Sequence, residues 1–175
     1  MGVLSVDAIS DFEDLLALMH KHEVRYLVIG GLAFIYHARP RYTKDMDLWI
    51  DPSPRNIRRA NAALAEFGSP FLLNVNEPDE ILQIGLPPNR IDLLQAIQGP
   101  SFGEAWRRRI TGKYGHADVN WIDLECLIEV KSRINDPRHR RDVRDLEAVR
   151  ALKRRGGPAP KSRAASPRRV RRPTR

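Results

Sequence analysis

Cysteine and long apolar runs are both scarce in this chain of 175 residues. Cys126 is the only cysteine, which excludes an internal disulfide and any zinc site built from several cysteines. No apolar run approaches the roughly 20 residues needed to cross a bilayer. The first residues also lack the basic and apolar regions of a secretory signal. We therefore expect a cytoplasmic protein with no membrane span.

Acidic residues are absent from the end of the chain. The stretch after Leu152 contains ten basic residues and no acid: Lys153, Arg154, Arg155, Lys161, Arg163, Arg168, Arg169, Arg171, Arg172 and Arg175. Removing these ten charges from the net charge of +8 leaves −2, so the body of the chain is near neutral. We predict one folded domain over residues 1–152 and a disordered, basic, proline- and arginine-rich tail over 153–175. The tail either adds salt-sensitive affinity for RNA or DNA or is a plain solubilising extension.

The body has an ordinary globular composition, with 42% apolar and 30% charged residues in the whole chain. Apolar residues at helical spacing predict helices over residues 10–22, 32–37, 55–67, 101–109, 123–134 and 141–153. Strands are predicted over residues 26–29, 45–51, 80–86, 90–96 and 119–122, and the third and fourth of these form a hairpin around Pro87-Pro88-Asn89. The pattern predicts an α/β (α+β) domain.

Two glycines follow the first predicted strand directly. Gly30 and Gly31 separate this strand from a short helix. Glycine lets the backbone approach a phosphate closely, and the start of the helix offers unpaired N–H groups and the positive end of its dipole. We interpret the diglycine as the anchor for the phosphates of a nucleotide.

Carboxylates alternate with apolar residues in the next predicted strand. Asp45 and Asp47 share one face of the strand, whereas Met46 points into the core. Residues two apart on a strand have Cα atoms about 6.5 to 7 Å apart, so both carboxylates can reach one metal ion or a close pair of ions. Hard oxygen ligands favour Mg²⁺ or Mn²⁺. Trp49 shares this face and is predicted to border the nucleotide base.

Asp92 is the natural third ligand. It lies between the apolar residues Ile91 and Leu93 in a later strand, so its carboxylate is expected on the polar side. A single aspartate at such a position is more simply explained as a solvent-facing residue of an amphipathic strand. Three of them behind a diglycine bend favour a metal site built from Asp45, Asp47 and Asp92.

The diglycine, the segment Arg39-Pro40-Arg41-Tyr42-Thr43-Lys44-Asp45-Met46-Asp47-Leu48 and the later Asp92 resemble the nucleotidyltransferase superfamily signature. The branch is that of small bacterial proteins related to the toxin of AbiE-like toxin–antitoxin systems. The resemblance spans residues 26–94, with a looser similarity through residue 152. It implies a mixed sheet flanked by helices, two divalent metals on the aspartates, and transfer of a nucleoside monophosphate with release of pyrophosphate.

A second part of the resemblance involves Lys131 and the segment Arg141-Asp142-Val143-Arg144-Asp145-Leu146. It implies that Lys131 contacts phosphates and that Asp142 positions or deprotonates the acceptor. In the simpler alternative, Lys131 is a surface residue and the aspartates pair with neighbouring arginines. Arg41 and Lys44 are candidates to stabilise the leaving pyrophosphate, and Thr43 belongs to the nucleotide-binding segment. The five histidines show no metal-ligand spacing and are interpreted as surface or core residues: His20, His22, His37, His116 and His139.

These observations predict a metal-dependent nucleotidyltransferase that uses Mg²⁺ or Mn²⁺ and a nucleoside triphosphate such as ATP. The expected acceptor is RNA, for example tRNA, or a partner protein, in a toxin–antitoxin context with an antitoxin partner. A catalytically inactive module that binds nucleic acid or a protein is the alternative. A third possibility is a transferase that modifies small antibiotic-like molecules, to which the basic tail gives no support.

Overall fold

The computed structural model describes residues 10–156. Its elements are α1 Ser10–Lys21, β1 Tyr26–Ile29, α2 Gly30–His37, β2 Asp45–Ile50, α3 Pro54–Phe67, β3 Leu82–Ile84, β4 Arg90–Leu94, α4 Phe102–Arg108, β5 Ile110–Tyr114, β6 Ala117–Trp121, α5 Leu124–Ser132 and α6 Pro137–Arg155. The first nine residues and the greater part of the predicted basic tail lie outside the described residues. Within residues 10–156, no helix combines the length and the apolar composition that a membrane span requires.

The six strands form one mixed sheet in the order β3-β4-β2-β1-β6-β5. At its centre, β2 pairs parallel with β4 and antiparallel with β1, and β1 pairs parallel with β6. The edge strands β3 and β5 form antiparallel hairpins with β4 and β6. Helices cover the sheet: α1 packs on α3 and β6, whereas α2 contacts β1, β2, α5 and α6. The predicted mixed sheet flanked by helices is confirmed.

The alternation of β2 fixes which residues face the site. Met46, Leu48 and Ile50 are fully buried, whereas Asp45 and Asp47 are only half-buried. Burying each of these apolar side chains stabilises the fold by about 1.5 to 3 kcal/mol. A slip of one residue in the pairing would turn all three toward the polar side, so the core sets the register of the aspartates.

The last helix starts earlier than the sequence predicts. The sequence predicts a helix over residues 141–153, whereas α6 runs from Pro137 to Arg155 and has Pro137 in its first turn. Proline suits this place because the first N–H groups of a helix have no intrahelical partner. The side chain of Asp136 caps the turn by accepting a hydrogen bond from the Arg138 backbone N–H at 2.7 Å.

Strand β5 was not predicted. Its central residue, Gly112, weakens the strand pattern because glycine has low strand propensity. In the structure Gly112 lies against the indole of Trp121 in β6, where an added Cβ would come within 3.2 Å of Nε1. The glycine is therefore explained by close packing of the hairpin, which the sequence alone does not reveal.

Candidate active site

The diglycine bend lies where β1 ends and α2 begins. Gly30 has a φ of +65°, and a Cβ added there would come within 2.0 Å of Oδ2 of Asp47. A Cβ added to Gly31 would come within 2.5 Å of Oγ1 of Thr43. The sequence predicts that this helix starts at Leu32, but it starts at Gly30. Among the residues that the structure describes, no side chain caps this helix start, so its N–H groups are free to bind an anion.

We expect Gly30→Ala to destabilise the fold by about 2 to 3 kcal/mol, because the strain of a positive φ adds to a displaced Asp47 carboxylate. Urea denaturation measures the loss. Gly68→Ala is the matched control: Gly68 also has a positive φ, of +88°, but a Cβ there meets no atom of residues 10–156 within 4 Å. The control should lose about 1 kcal/mol. Equal losses in the two variants would contradict close packing of the carboxylate on Gly30.

The sheet register brings the three predicted aspartates side by side. Asp47 in β2 lies opposite Asp92 in the parallel strand β4, and Asp45 lies two residues before Asp47 on the same face. Asp92 is 7% exposed. Burial, followed by the negative charges of Asp45 and Asp92, raises the pKa of Asp47 to about 7. The three carboxylates are therefore close enough to repel one another.

An arginine that the sequence reasoning missed lies among these aspartates. Arg90 is opposite Asp45 in the β2–β4 pairing, and its Nη2 donates to Oδ2 of Asp45 at 2.7 Å and to Oδ2 of Asp92 at 3.1 Å. The sequence feature that could have identified Arg90 is its position two residues before Asp92, because residues two apart on a strand lie on the same face. As these side chains stand, no three His, Cys, Asp or Glu residues within the described part of the chain are arranged to hold a metal ion.

The chemistry of this cluster nevertheless fits a divalent cation. When all three are ionised, Asp45, Asp47 and Asp92 carry a charge of −3. The positive charge of Arg90 reduces this to −2, which one divalent cation would balance. Oδ1 of Asp92 is buried and has no hydrogen-bond partner within residues 10–156. Carboxylate oxygens are the ligands that Mg²⁺ and Mn²⁺ prefer. The three aspartates would hold such an ion once the Arg90 contact to Asp45 or Asp92 gives way.

Lys131 and Asp142 meet in the core beside the site. The Lys131 side chain is 2% exposed, and its Nζ donates to Oδ2 of Asp142 at 2.8 Å. Arg41 donates to the same oxygen at 2.9 Å. Burial lowers the pKa of Lys131, and the hydrogen bond to Asp142 opposes this shift. Lys131 is therefore not the surface residue of the simpler alternative, although Asp142 does pair with an arginine as that alternative predicts.

A cleft of about 880 Å³ is lined by the predicted site residues. Its walls include every predicted site residue: Gly30, Gly31, Arg41, Thr43, Lys44, Asp45, Asp47, Asp92, Lys131 and Asp142. Lys44 is exposed, and Oγ1 of Thr43 donates to the backbone carbonyl of Asp45 at 3.3 Å. Such a volume is in the range of sites for small molecules and cofactors.

Trp49 differs from its predicted place, and a histidine that was not assigned to the site lines the cleft. Trp49 does not border the cleft, because it is 3% exposed and packs edge-on against Phe102 of α4 with ring centroids 5.1 Å apart. His139, interpreted as a surface or core residue, lines the cleft one helical turn before Asp142. Its Nδ1 is buried without a hydrogen-bond partner among the described residues. Burial and the charge of Lys131 lower the pKa of His139, which favours its neutral form.

Neither a protein-family model nor a curated protein matches the chain. The structure is similar to an antigenic nucleotidyltransferase-like protein from Paracoccidioides brasiliensis, with 16% identity over 84% of this chain and 77% of that one and a TM-score of 0.51. It is also similar to the lincosamide antibiotic adenylyltransferase LnuA, solved with lincomycin bound, with 13% identity over 80% of this chain and 96% of that one and a TM-score of 0.50. The antibiotic-resistance factor ANT(2'')-Ia, with 14% identity, 83% and 90% coverage and a TM-score of 0.50, is a third similar structure. The chain has the nucleotidyltransferase fold.

Proposed function

We propose that the chain is a metal-dependent nucleotidyltransferase that transfers a nucleoside monophosphate from a nucleoside triphosphate to a macromolecular acceptor. The observation that carries the proposal is the pairing of Asp47 with Asp92 across β2 and β4, directly against the bend at Gly30. Repelling carboxylates beside free helix N–H groups are costly for the fold and useful for binding a cation together with phosphates. Structures with this fold include the adenylyltransferase LnuA, which supports nucleotidyl transfer in general.

The reaction joins the acceptor hydroxyl oxygen to the α-phosphorus and breaks the bond from that phosphorus to the bridging oxygen, so that pyrophosphate leaves and the hydroxyl proton passes to solvent in the cleft. Asp45, Asp47 and Asp92 would hold Mg²⁺ or Mn²⁺, which supplies charge neutralisation and an acceptor hydroxyl of lower pKa. The backbone N–H groups of Gly30 and Gly31 bind phosphate oxygens at the start of α2.

The remaining residues position positive charge next to the phosphates. Lys131 is held by Asp142 in the wall of the cleft, and the same carboxylate oxygen orients the guanidinium of Arg41. Because Oδ2 of Asp142 accepts from both cations, we assign Asp142 the role of positioning them. Lys44 lines the cleft with an exposed side chain that has no ion-pair partner among residues 10–156, and it is suited to the leaving pyrophosphate.

For the acceptor we favour RNA, such as tRNA, or a partner protein. The rim of the cleft includes exposed Arg133 and Arg138 as well as Lys44, which supports an anionic acceptor. The basic tail would add salt-dependent affinity for a nucleic acid. A toxin that is neutralised by an antitoxin partner is the context that the resemblance to AbiE-like proteins implies.

The experiment is to incubate the protein with each nucleoside triphosphate labelled at the α-phosphorus, with Mg²⁺ or Mn²⁺ and a bacterial lysate. We expect one nucleotide to label one class of macromolecule, and digestion with ribonuclease or protease tells RNA from protein. The same nucleotide labelled at the γ-phosphorus should transfer nothing, because that label leaves with pyrophosphate. Absence of α-label with all four nucleotides and both ions would count against the enzyme.

Two observations favour other functions of the same fold. The bridge from Arg90 to Asp45 and Asp92 is compatible with a catalytically inactive module that binds nucleic acid or a protein. Such a module would bind a triphosphate or a partner in a pull-down but would leave no label. The lincomycin-bound LnuA structure favours a small-molecule acceptor, which thin-layer chromatography of labelled antibiotics would detect.

A further inference from the structure

Four charged residues lie next to one another on the polar face of β2 and β4. Asp45 and Asp47 follow each other on β2, Arg90 and Asp92 follow each other on β4, and the parallel register places Asp45 opposite Arg90 and Asp47 opposite Asp92. Alternation along both strands turns all four side chains to the same side. Arg90 therefore reaches the aspartates because of the sheet register and not through a chance contact of surface side chains.

The contacts of Arg90 put its positive charge where a bound cation would lie. A single atom, Nη2, donates to both Asp45 and Asp92, at 2.7 Å and 3.1 Å. The side chain of Asp92 is 9% exposed, so the second contact is largely screened from water. Both of these hydrogen bonds go to Asp45 and Asp92, and neither goes to Asp47.

We propose that Arg90 is an exchangeable counter-ion, which a divalent cation displaces from Asp45 and Asp92 and which then binds the triphosphate. This inference rests on the proposed function. In the metal-free protein the guanidinium bridges Asp45 and Asp92 and offsets one of their two negative charges, which reduces their repulsion. A cation that uses the same oxygens releases a guanidinium at the edge of the phosphate site.

The released side chain suits phosphate. Guanidinium is planar, always charged and able to donate two parallel hydrogen bonds to phosphate oxygens. Nε of Arg90 is buried and has no acceptor among residues 10–156, so the present arrangement leaves part of its donor capacity unused. Arg90 is 32% exposed and borders the same cleft as Gly30 and Lys44, which leaves it room to turn.

The test measures two affinities in the full chain. Calorimetry with Mn²⁺ alone should show that Arg90→Gln binds the ion about tenfold more tightly than the unsubstituted protein, because the competing charge is gone. With Mn²⁺ saturating, the affinity for a non-hydrolysable triphosphate analogue should instead fall about tenfold. Opposite changes in the two affinities are not what the loss of a merely structural contact produces.

Arg133→Gln is the matched control. Arg133 lines the same cleft but pairs with Glu129 at 3.0 Å and is not bonded to the three aspartates. Its removal deletes the same charge and should change Mn²⁺ affinity less than about twofold. If it tightens Mn²⁺ binding as much as Arg90→Gln does, the effect is general electrostatics and the displacement proposal is wrong.

Arg90→Lys guards against misfolding of the first variant, since it keeps a charge while losing the planar fork. We expect its Mn²⁺ affinity to lie between those of the unsubstituted protein and Arg90→Gln, with circular dichroism unchanged. Weaker or unchanged Mn²⁺ binding in both variants would overturn the inference. That result would not contradict the proposed reaction, which labelling by the unsubstituted protein tests separately. Tighter Mn²⁺ binding by Arg90→Gln without any labelling would contradict the proposed reaction but support the displacement of Arg90.

Discussion

Asp47→Asn is expected to abolish nucleotide transfer and, in the same protein, to increase the free energy of unfolding at and above pH 7. Asparagine lacks the charge that would bind the metal ion, so the α-label should fall to background. The stability gain has the same origin, because the carboxylate is buried between two others of like charge. Removing it should stabilise the fold by roughly 2 kcal/mol at pH 8 without metal.

The pH dependence gives the sign of this effect. The pKa of Asp47 is raised from 3.8 to about 7, so between these values the folded state holds a proton that the unfolded chain has released. The free energy of unfolding therefore falls as the pH rises through this window. Below about pH 4 both states are protonated and the advantage of Asp47→Asn should disappear. Denaturation curves at pH 4, 6 and 8 measure the trend.

Asp118→Asn is the control of opposite sign. A hydrogen bond and the charge of Lys113 lower the pKa of Asp118, which lies in β6, two strands away from β2 in the sheet. This variant should not gain stability at pH 8 and should keep full transfer activity. A loss of stability in Asp47→Asn at pH 8 would mean that the carboxylate is not repelled by its neighbours, and would remove the electrostatic basis of the site.

Asp142→Ala is expected to destabilise the fold by about 3 kcal/mol or more, because it leaves the ammonium of Lys131 buried without a carboxylate. Burial lowers the pKa of Lys131, so in this variant the unfolded chain binds more protons than the folded state below the usual lysine range. Stability should therefore rise with pH, and the loss measured at pH 9 should be smaller than at pH 7. Thermal and urea denaturation at both pH values provide the measurement.

Adding Lys131→Met to Asp142→Ala should recover much of the lost stability, because methionine keeps the apolar stem and removes the buried charge. Asp145→Ala is the matched control, since Asp145 also binds an arginine from the same loop but both side chains are exposed. Its effect should stay within about 1 kcal/mol. A loss in Asp145→Ala as large as in Asp142→Ala would show that helix α6, and not the buried ion pair, is responsible.

Most of the site geometry could be predicted because it follows from the alternation of side chains between the two faces of a strand. Met46 is apolar and its neighbours Asp45 and Asp47 are not, so the face of each residue is decided within β2 itself. The same holds for Asp92 between two apolar residues. The bend at Gly30 and Gly31 could be predicted from the sequence because few other residues allow a backbone to approach phosphate so closely.

What could not be predicted depends on neighbours distant in the chain. Trp49 lies on the same face of β2 as Asp47, but α4 covers Trp49. Its burial in the core depends on packing against Phe102 of α4. Arg90 lies on the same face of β4 as Asp92, but its contact to Asp45 depends on the pairing of β4 with β2. Placing Lys131 beside Asp142 required the packing of α5 on α6, because eleven residues of sequence do not fix the angle between two helices.

One row of the sheet joins Ile29, Asp47 and Asp92 across three adjacent strands. Backbone amides in such inner strands exchange hydrogen with solvent only when the whole domain opens, whereas those of exposed loops exchange through local fluctuations. We therefore expect the backbone that carries the carboxylates to exchange slowly. The segment from Arg41 to Lys44 lies outside the helices and strands. Binding can remodel this loop while the strands hold the backbone of the acids in place, so the three aspartates should keep their spacing along the sheet until the protein unfolds as a unit.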